Sequence, residues 1–266
     1  MNFLETIIGR SKASVEEAKG RLSIDKLINL VSNVRPANDF RKSLLRAPGD
    51  NVRIIAEIKR ASPSKGNIAL DIVPAEVARD YAAGGASAIS VLTEDSFFKG
   101  SVNDLKAVRE AVPGMPLLRK DFIVDEYQIY ESVLIGADAV LLIVAALEKD
   151  VLARFVRLSR ERGLCPLVEV HADRELDAAL AAGADVIGVN NRDLATFEVS
   201  TDASERMAKK IPSGIVTISE SGISDVGGLR AAGELGYHSV LMGEHFMRAS
   251  DRVAEVRKFS LPAGAK

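Results

Sequence analysis

The sequence predicts a (β/α)8 barrel behind an N-terminal helical extension, and three observations lead there. The chain has 266 residues, a length that suits one barrel of about 250 residues. A pattern of helix end, glycine stop and strand occurs four times, at 82–91, 135–141, 182–187 and 235–241, with Gly85, Gly136, Gly183 and Gly236 spaced by about fifty residues. Each interval holds a second strand pattern, so four repeats make eight βα units. Finally, polar residues recur where apolar strand patterns stop, as the carboxyl-terminal face of a barrel requires.

In chain order, residues 1–50 carry two amphipathic stretches, around 4–8 and 14–31, expected to be helices lying on the barrel. Ser14 and Glu17 have the spacing of a capping box. The barrel is expected over 51–266. Its first strand is 53–58, and further strands are expected at 115–118, 166–170 and 215–218, alternating with those that follow the four glycines. Helical patterns lie between them at 75–83, 102–111, 125–135, 149–162, 174–182, 203–210 and 226–234, with a last one after Ser250. A doubly wound open sheet is the competing fold. It is disfavoured because no G-x-G-x-x-G follows the first strand and polar residues end strands throughout the chain.

Composition narrows the function. Apolar residues make up 47% and charged residues 27% of the chain, enough for a folded core with no sign of disorder. A net charge of −2 supplies no basic field for nucleic acid. Glu5 and Arg10 interrupt the N-terminus, which reads as neither signal peptide nor membrane span, so a cytoplasmic protein is expected. The single cysteine, Cys165, excludes an internal disulfide and reads as a small buried hydrophobe. His171, His238 and His245 lack metal-ligand spacing, and no metal or other cofactor is expected. Neither a Walker loop nor a G-x-S-x-G elbow is present.

The chemistry gathers at the strand ends. The run Ile54-Ile55-Ala56-Glu57-Ile58-Lys59 ends an apolar strand with an acid and a base two residues apart, hence on one face. A surface ion pair is the plainer explanation for that pair alone. Ser219-Glu220-Ser221-Gly222 and Met242-Gly243-Glu244 follow the seventh and eighth strand patterns, the two places where barrels commonly offer backbone N–H groups to a phosphate. Lys59 and the loop from Ser62 to Gly66 add charge and hydroxyls, so a phosphate ester is the expected substrate. Glu57, Lys120 and Glu169 have the acid–base range that catalysis needs. Lys120, next to Asp121, is expected to stay charged among carboxylates. For Glu169 a structural salt bridge is the alternative. Asn190 and Arg192 bring donors to the same mouth, and Phe98, Phe122 and Phe197 are candidate walls for a planar ring.

These segments resemble the indole-3-glycerol-phosphate synthases. The resemblance rests on Ala56-Glu57-Ile58-Lys59-Arg60-Ala61-Ser62-Pro63-Ser64-Lys65-Gly66, Leu92-Thr93-Glu94, Leu118-Arg119-Lys120-Asp121-Phe122-Ile123, Val189-Asn190-Asn191-Arg192-Asp193-Leu194 and Ser219-Glu220-Ser221-Gly222-Ile223, in that order, with Asp39-Phe40 in the leader. It implies a single-function, cofactor-free enzyme of tryptophan biosynthesis that closes 1-(2-carboxyphenylamino)-1-deoxyribulose 5-phosphate to indole-3-glycerol phosphate, losing carbon dioxide and water. It further implies Lys120 as general acid, Glu169 as base for dehydration, and Glu57 positioning Lys120 or assisting as a second carboxylate. Lys59 would hold the substrate carboxylate or phosphate, or act as the acid for dehydration. Asn190 and Ser221 would bind hydroxyls, with Arg192 on the rim and Ser62, Gly222, Gly243 and the backbone of Glu244 among the phosphate-binding groups. Pro63, Phe98, Phe122, Leu141, Ile143, Leu194 and Phe197 would hold the ring. A Glu244 carboxylate facing inward would repel phosphate, and His245 has no assigned role. The expected partner is the small phosphorylated substrate alone, bound by a monomer. Two alternatives stay open: an aldolase forming a Schiff base through Lys120, and a non-catalytic phosphosugar-binding barrel.

Overall fold

The computed structural model describes residues 3–36, 38–47, 49–193 and 196–260. Eight parallel strands close into a barrel: β1 (Arg53–Ile58), β2 (Ala88–Leu92), β3 (Leu117–Lys120), β4 (Ala139–Ile143), β5 (Cys165–Val170), β6 (Val186–Asn190), β7 (Val216–Glu220) and β8 (Ser239–Met242). Each pairs with its neighbours in sequence, and β1 pairs with both β2 and β8 to complete the ring. Strand alternation separates two apolar sets. Ile55, Ala88, Leu118, Leu141, Leu167, Val186, Ile218 and Leu241 fill the interior, while Ile54, Ile89, Leu117, Val140, Val168, Ile187 and Val240 pack outward against the helices.

The expected helices are found at α4 (Pro74–Gly84), α5 (Val102–Ala111), α6 (Glu126–Leu134), α7 (Lys149–Glu161), α8 (Asp173–Ala181), α9 (Asp202–Ala208), α10 (Val226–Glu234) and α12 (Arg252–Ser260), with a short α11 (Glu244–Met247) after β8. The four glycine stops all hold positive φ, between 83° and 92°, the left-handed conformation that glycine adopts without Cβ strain. Strands β3 and β7 run two residues further than expected, through Lys120 and Glu220. Ladder pairing carries them past the point where the apolar pattern ends.

The leader departs from expectation in where its helices begin and end, since the stretch expected over 14–31 breaks after Arg21 and its first part joins the stretch before it. Helix α1 (Phe3–Arg21) is continuous, so Ser14 lies inside it and makes no capping box. Ile7, Ser11 and Val15 form a buried stripe at helical spacing across that point, and packing decides where propensity is indifferent. Helix α2 (Ile24–Val31) follows α1, and α3 (Phe40–Leu44) starts at Asp39, whose side chain accepts from the N–H of Lys42. The segment around α3 crosses the amino-terminal ends of the strands. Asn38 N–H donates to Asp138 before β4, Arg41 pairs with Asp185 before β6, and Arg46 donates to the carbonyls of Gly233 and Tyr237 before β8. Phe40 and Leu44 close the base of the interior cluster. At the other end, Phe3 meets Phe97 and Phe197 edge-on, with ring centroids 5.2 and 5.1 Å apart. The leader thus runs from the mouth of the barrel to its base.

Candidate active site

A cavity of about 950 Å³ opens at the carboxyl-terminal end of the strands, within the size range of small-molecule sites. Glu57, Lys59, Ser62, Pro63, Phe98, Lys120, Phe122, Leu141, Ile143, Glu169, Asn190, Arg192, Phe197, Ser221, Gly222, Gly243 and Glu244 all line it. Leu194 lies outside the described residues. The ribbon Ala61–Ser62 and Gly66–Asn67 carries Ser62 and Pro63 to one edge.

Lys120 stands at the centre. Its Nζ is 3.0 Å from Glu169 Oε2 and 3.3 Å from Glu220 Oε2. Burial would discharge the amine, but the charges of Glu169, Glu220 and Glu57 and the bond to Glu169 raise its pKa, so it remains an ammonium. The carboxylates around it are therefore not the adjacent Asp121. That side chain faces the outside of the barrel, bound to Arg119 and Thr93, because successive strand residues point to opposite faces. Glu57 bonds to Lys59, two residues along the same face, which realises the shared face expected from the sequence. Among the described residues the groups bonded to Lys120 are Glu169 and Glu220, while Glu57 acts on it through charge.

Glu220 is the site residue that sequence reasoning left unassigned. The signal was present in its motif, one residue before Ser221, but a run that breaks in Ser-Glu-Ser-Gly does not say which side chain turns inward. The β7 alternation of Val216, Ile218 and Glu220 decides it. The side chain is almost wholly buried, and its Oε1 has no hydrogen-bond partner among the described residues. Burial pushes its carboxyl up to about 8; Lys120 opposes the shift and neighbouring Glu169 adds to it. Glu169 goes the other way. Burial alone would raise it, but the charges of Lys120 and His171 and the hydrogen bonds from Lys120 and Asn190 hold it down to about 2. Two carboxyls on one ammonium are thus pushed in opposite directions, Glu169 down and Glu220 up.

The polar rim is equally organised. Asn190 Oδ1 accepts from Ser221 Oγ at 2.9 Å and from the N–H of Arg192 at 3.0 Å. Ser221 has φ 66° and Gly222 φ 85°, a left-handed pair that turns the chain after β7. Strain of this kind at a non-glycine residue clusters at functional sites. Arg192 donates to the carbonyl of Phe197, another left-handed residue, and so fixes the loop carrying that ring. Glu94 is buried and accepts from the N–H groups of Ser96, Phe97 and Phe98, setting the loop that presents Phe98. Gly243 lies against Glu57, where a Cβ would come within 2.5 Å of its Oε1. The Glu244 carboxylate pairs with Arg248 at 3.1 Å, which neutralises the charge beside the expected phosphate loops. His245 bonds to Glu255 at 2.7 Å and packs on Phe246 and Phe259. Cys165 sits at the base of β5 and is half-buried rather than fully buried as the sequence suggests, with its thiol pushed up to about 12 by its surroundings.

Known proteins resemble the chain along nearly its whole length. The family model "Indole-3-glycerol phosphate synthase" matches residues 4–259. An indole-3-glycerol phosphate synthase of Chloroherpeton thalassium is 44% identical over 255 residues, covering 96% of this chain and 97% of that protein. One from Dehalococcoides mccartyi is 46% identical over 259 residues, covering 96% and 99%. Among solved structures, thiamine phosphate pyrophosphorylase from Pyrococcus furiosus superposes with a TM-score of 0.61 at 16% identity, over 83% of this chain and 96% of that one. At that identity the likeness speaks for the barrel fold alone.

Proposed function

Because the chain belongs to the indole-3-glycerol phosphate synthase family and is that carboxy-lyase, we propose that its reaction is divided among the side chains that converge on Lys120. The single observation carrying this reading is the placement of the Lys120 ammonium between the buried carboxyls of Glu169 and Glu220, 3.0 and 3.3 Å away. Ring closure joins an aromatic carbon to the substrate ketone, and the ketone oxygen must gain a proton as the bond forms. Lys120, held charged and directed into the cavity, is the general acid for that step. Loss of carbon dioxide follows and discharges the substrate carboxylate. Dehydration then needs a base for the amine-side proton and an acid for the departing hydroxyl. Glu169 is the base; Lys59, bound to Glu57, is the acid or the cation that holds the substrate carboxylate. Glu220, with a free buried oxygen, assists as a second proton-bearing group.

Gly222 and Gly243, after β7 and β8 on the wall of the cavity, are the groups whose backbone N–H would meet the phosphate, with Ser62 and Glu244 N–H beside them. Asn190 and Ser221 take substrate hydroxyls, Arg192 stays on the rim, and Pro63, Phe98, Phe122, Leu141, Ile143 and Phe197 hold the ring. The reading is of a monomer acting in the cytoplasm, with residues 1–50 as an extension integral to a barrel over 51–266. A Schiff-base aldolase is disfavoured because Lys120 is held as an ammonium, and that nucleophile must be neutral. Lys120→Met tests the assignment: kcat should fall by about 10² or more while KM changes far less. Near-normal turnover in that variant would remove Lys120 from the chemistry.

A further inference from the structure

Glu169 has a neighbour behind it that the reaction as described does not use. His171 follows Glu169 by two residues at the end of β5, with its Nε2 3.4 Å from Glu169 Oε1. Its Nδ1 lies 3.3 Å from Glu175 Oε2, and its backbone N–H donates to the same oxygen at 2.7 Å. Glu175 sits in the first turn of α8, where the helix dipole favours a carboxylate. It reaches back over the helix start in place of the side-chain cap that Ala172 cannot supply. The imidazole thus lies between two carboxylates, held by Glu175 at Nδ1 and facing Glu169 through an Nε2 that makes no hydrogen bond among the described residues, and Glu169 lies between Lys120 at Oε2 and His171 at Oε1.

We infer that His171, held from behind by Glu175, is a positioning residue for Glu169: it borders the Oε1 side of the carboxylate and, when protonated, sets a second positive charge opposite Lys120. This rests on Glu169 being the base for dehydration. The lever is electrostatic as well as steric, because burial works against a charged Glu169 and one ammonium shared with Glu220 must offset it. The groups facing the pair are Lys120 from β3, Glu220 from β7 and Glu175 from α8, with Arg174 beside Glu175. Strands β4 and β6, on either side of β5, bring no charged side chain. His171 itself is shifted upward: burial opposes its charge, but the bond to Glu175 and the charges of Glu169, Glu175 and Glu220 prevail.

His171→Asn keeps a polar side chain of similar reach and removes the charge. It should lower kcat about tenfold with KM within about twofold, and move the acid limb of the kcat profile upward by roughly one pH unit. Glu175→Gln should shift the same limb in the same direction by less, because the imidazole keeps its contact with Glu169 but loses the group that charges and holds it. An unmoved acid limb in His171→Asn overturns the inference, whether or not kcat falls, since packing damage alone would not move it. If His171→Asn fails to fold, Glu175→Gln decides by the same criterion. Glu169→Gln, measured alongside, separates the two levels. Full activity there removes Glu169 as the base. A crippled Glu169→Gln with an unshifted His171→Asn removes only the positioning role.

Discussion

Gly188 lies directly against Glu220: a Cβ built at position 188 would stand 2.1 Å from Glu220 Oε1. The contact comes from the barrel's own register, since Gly188 pairs with Ile218 and Asn190 with Glu220 on the adjoining strands. A glycine inside a buried strand weakens it unless something must approach closely. Here the approaching group is the carboxyl that shares Lys120 with Glu169. Gly188→Ala should therefore turn Glu220 away from its place. Overpacking costs of about 1–3 kcal/mol are usual, so the protein should still fold, with a modestly lower Tm. Turnover should drop about tenfold or more, because a displacement of this size at a reacting group is felt strongly. A variant with parental kcat would show that the orientation of Glu220 does not matter to the reaction.

Glu220 also has a measurable signature in stability. Its carboxyl is raised from an ordinary 4.5 to about 8 by burial. Below 4.5 both folded and unfolded chains carry it protonated, and it has no effect. Between 4.5 and 8 the unfolded chain loses the proton and the folded chain keeps it, so stability is progressively lost as pH rises; above 8 the loss is complete. Glu220→Gln removes that titration. Its Tm relative to the parent should climb from about pH 5 to pH 8 and then level off, while activity falls. A Tm difference that is flat with pH would mean that Glu220 is not a proton-bearing group in the free enzyme.

The loop after β7 makes the phosphate reading testable. Gly222 has φ 85°, and a Cβ there would meet Val199 Cγ1 at 2.9 Å, so Gly222→Val strains the backbone and crowds the loop at once. KM for substrate should rise, and the affinity for inorganic phosphate or sulfate should fall with it. Unchanged phosphate binding, measured by calorimetry or by competitive inhibition, would place the anion elsewhere.

Much of this architecture could be read in the sequence, and the reasons are local. Gly85, Gly136, Gly183 and Gly236 announce helix ends through one backbone conformation, and the strand ends at Glu57, Lys59 and Glu169 announce themselves by charge after an apolar run. What could not be read depends on distance or on facing. Phe3 reaches the mouth only because α1 is one continuous helix, and Ser14, taken as a start signal, sits in its middle. Asp121 and Glu220 look alike as acids beside strand ends. One faces Arg119 outside the barrel and the other Lys120 within, a difference of one residue in strand phase that a motif does not encode.

Glu169 gives the most decisive test, because its proposed work comes after the carbon–carbon bond exists. Glu169→Gln keeps the size and a hydrogen-bonding group while removing the base. Lys120 loses one of its two bonded carboxylates but keeps Glu220 at 3.3 Å, so the general acid for ring closure remains in place. Substrate should bind, ring closure and decarboxylation should proceed, and dehydration should slow by about 10² or more. In a single turnover, carbon dioxide would then appear before the indole absorbance, and the lag between the two signals would measure the slowed step. Simultaneous loss of both signals would instead put Glu169 in ring closure or in holding Lys120. An unaffected variant would leave Glu169 as nothing more than the structural partner of the Lys120 ammonium.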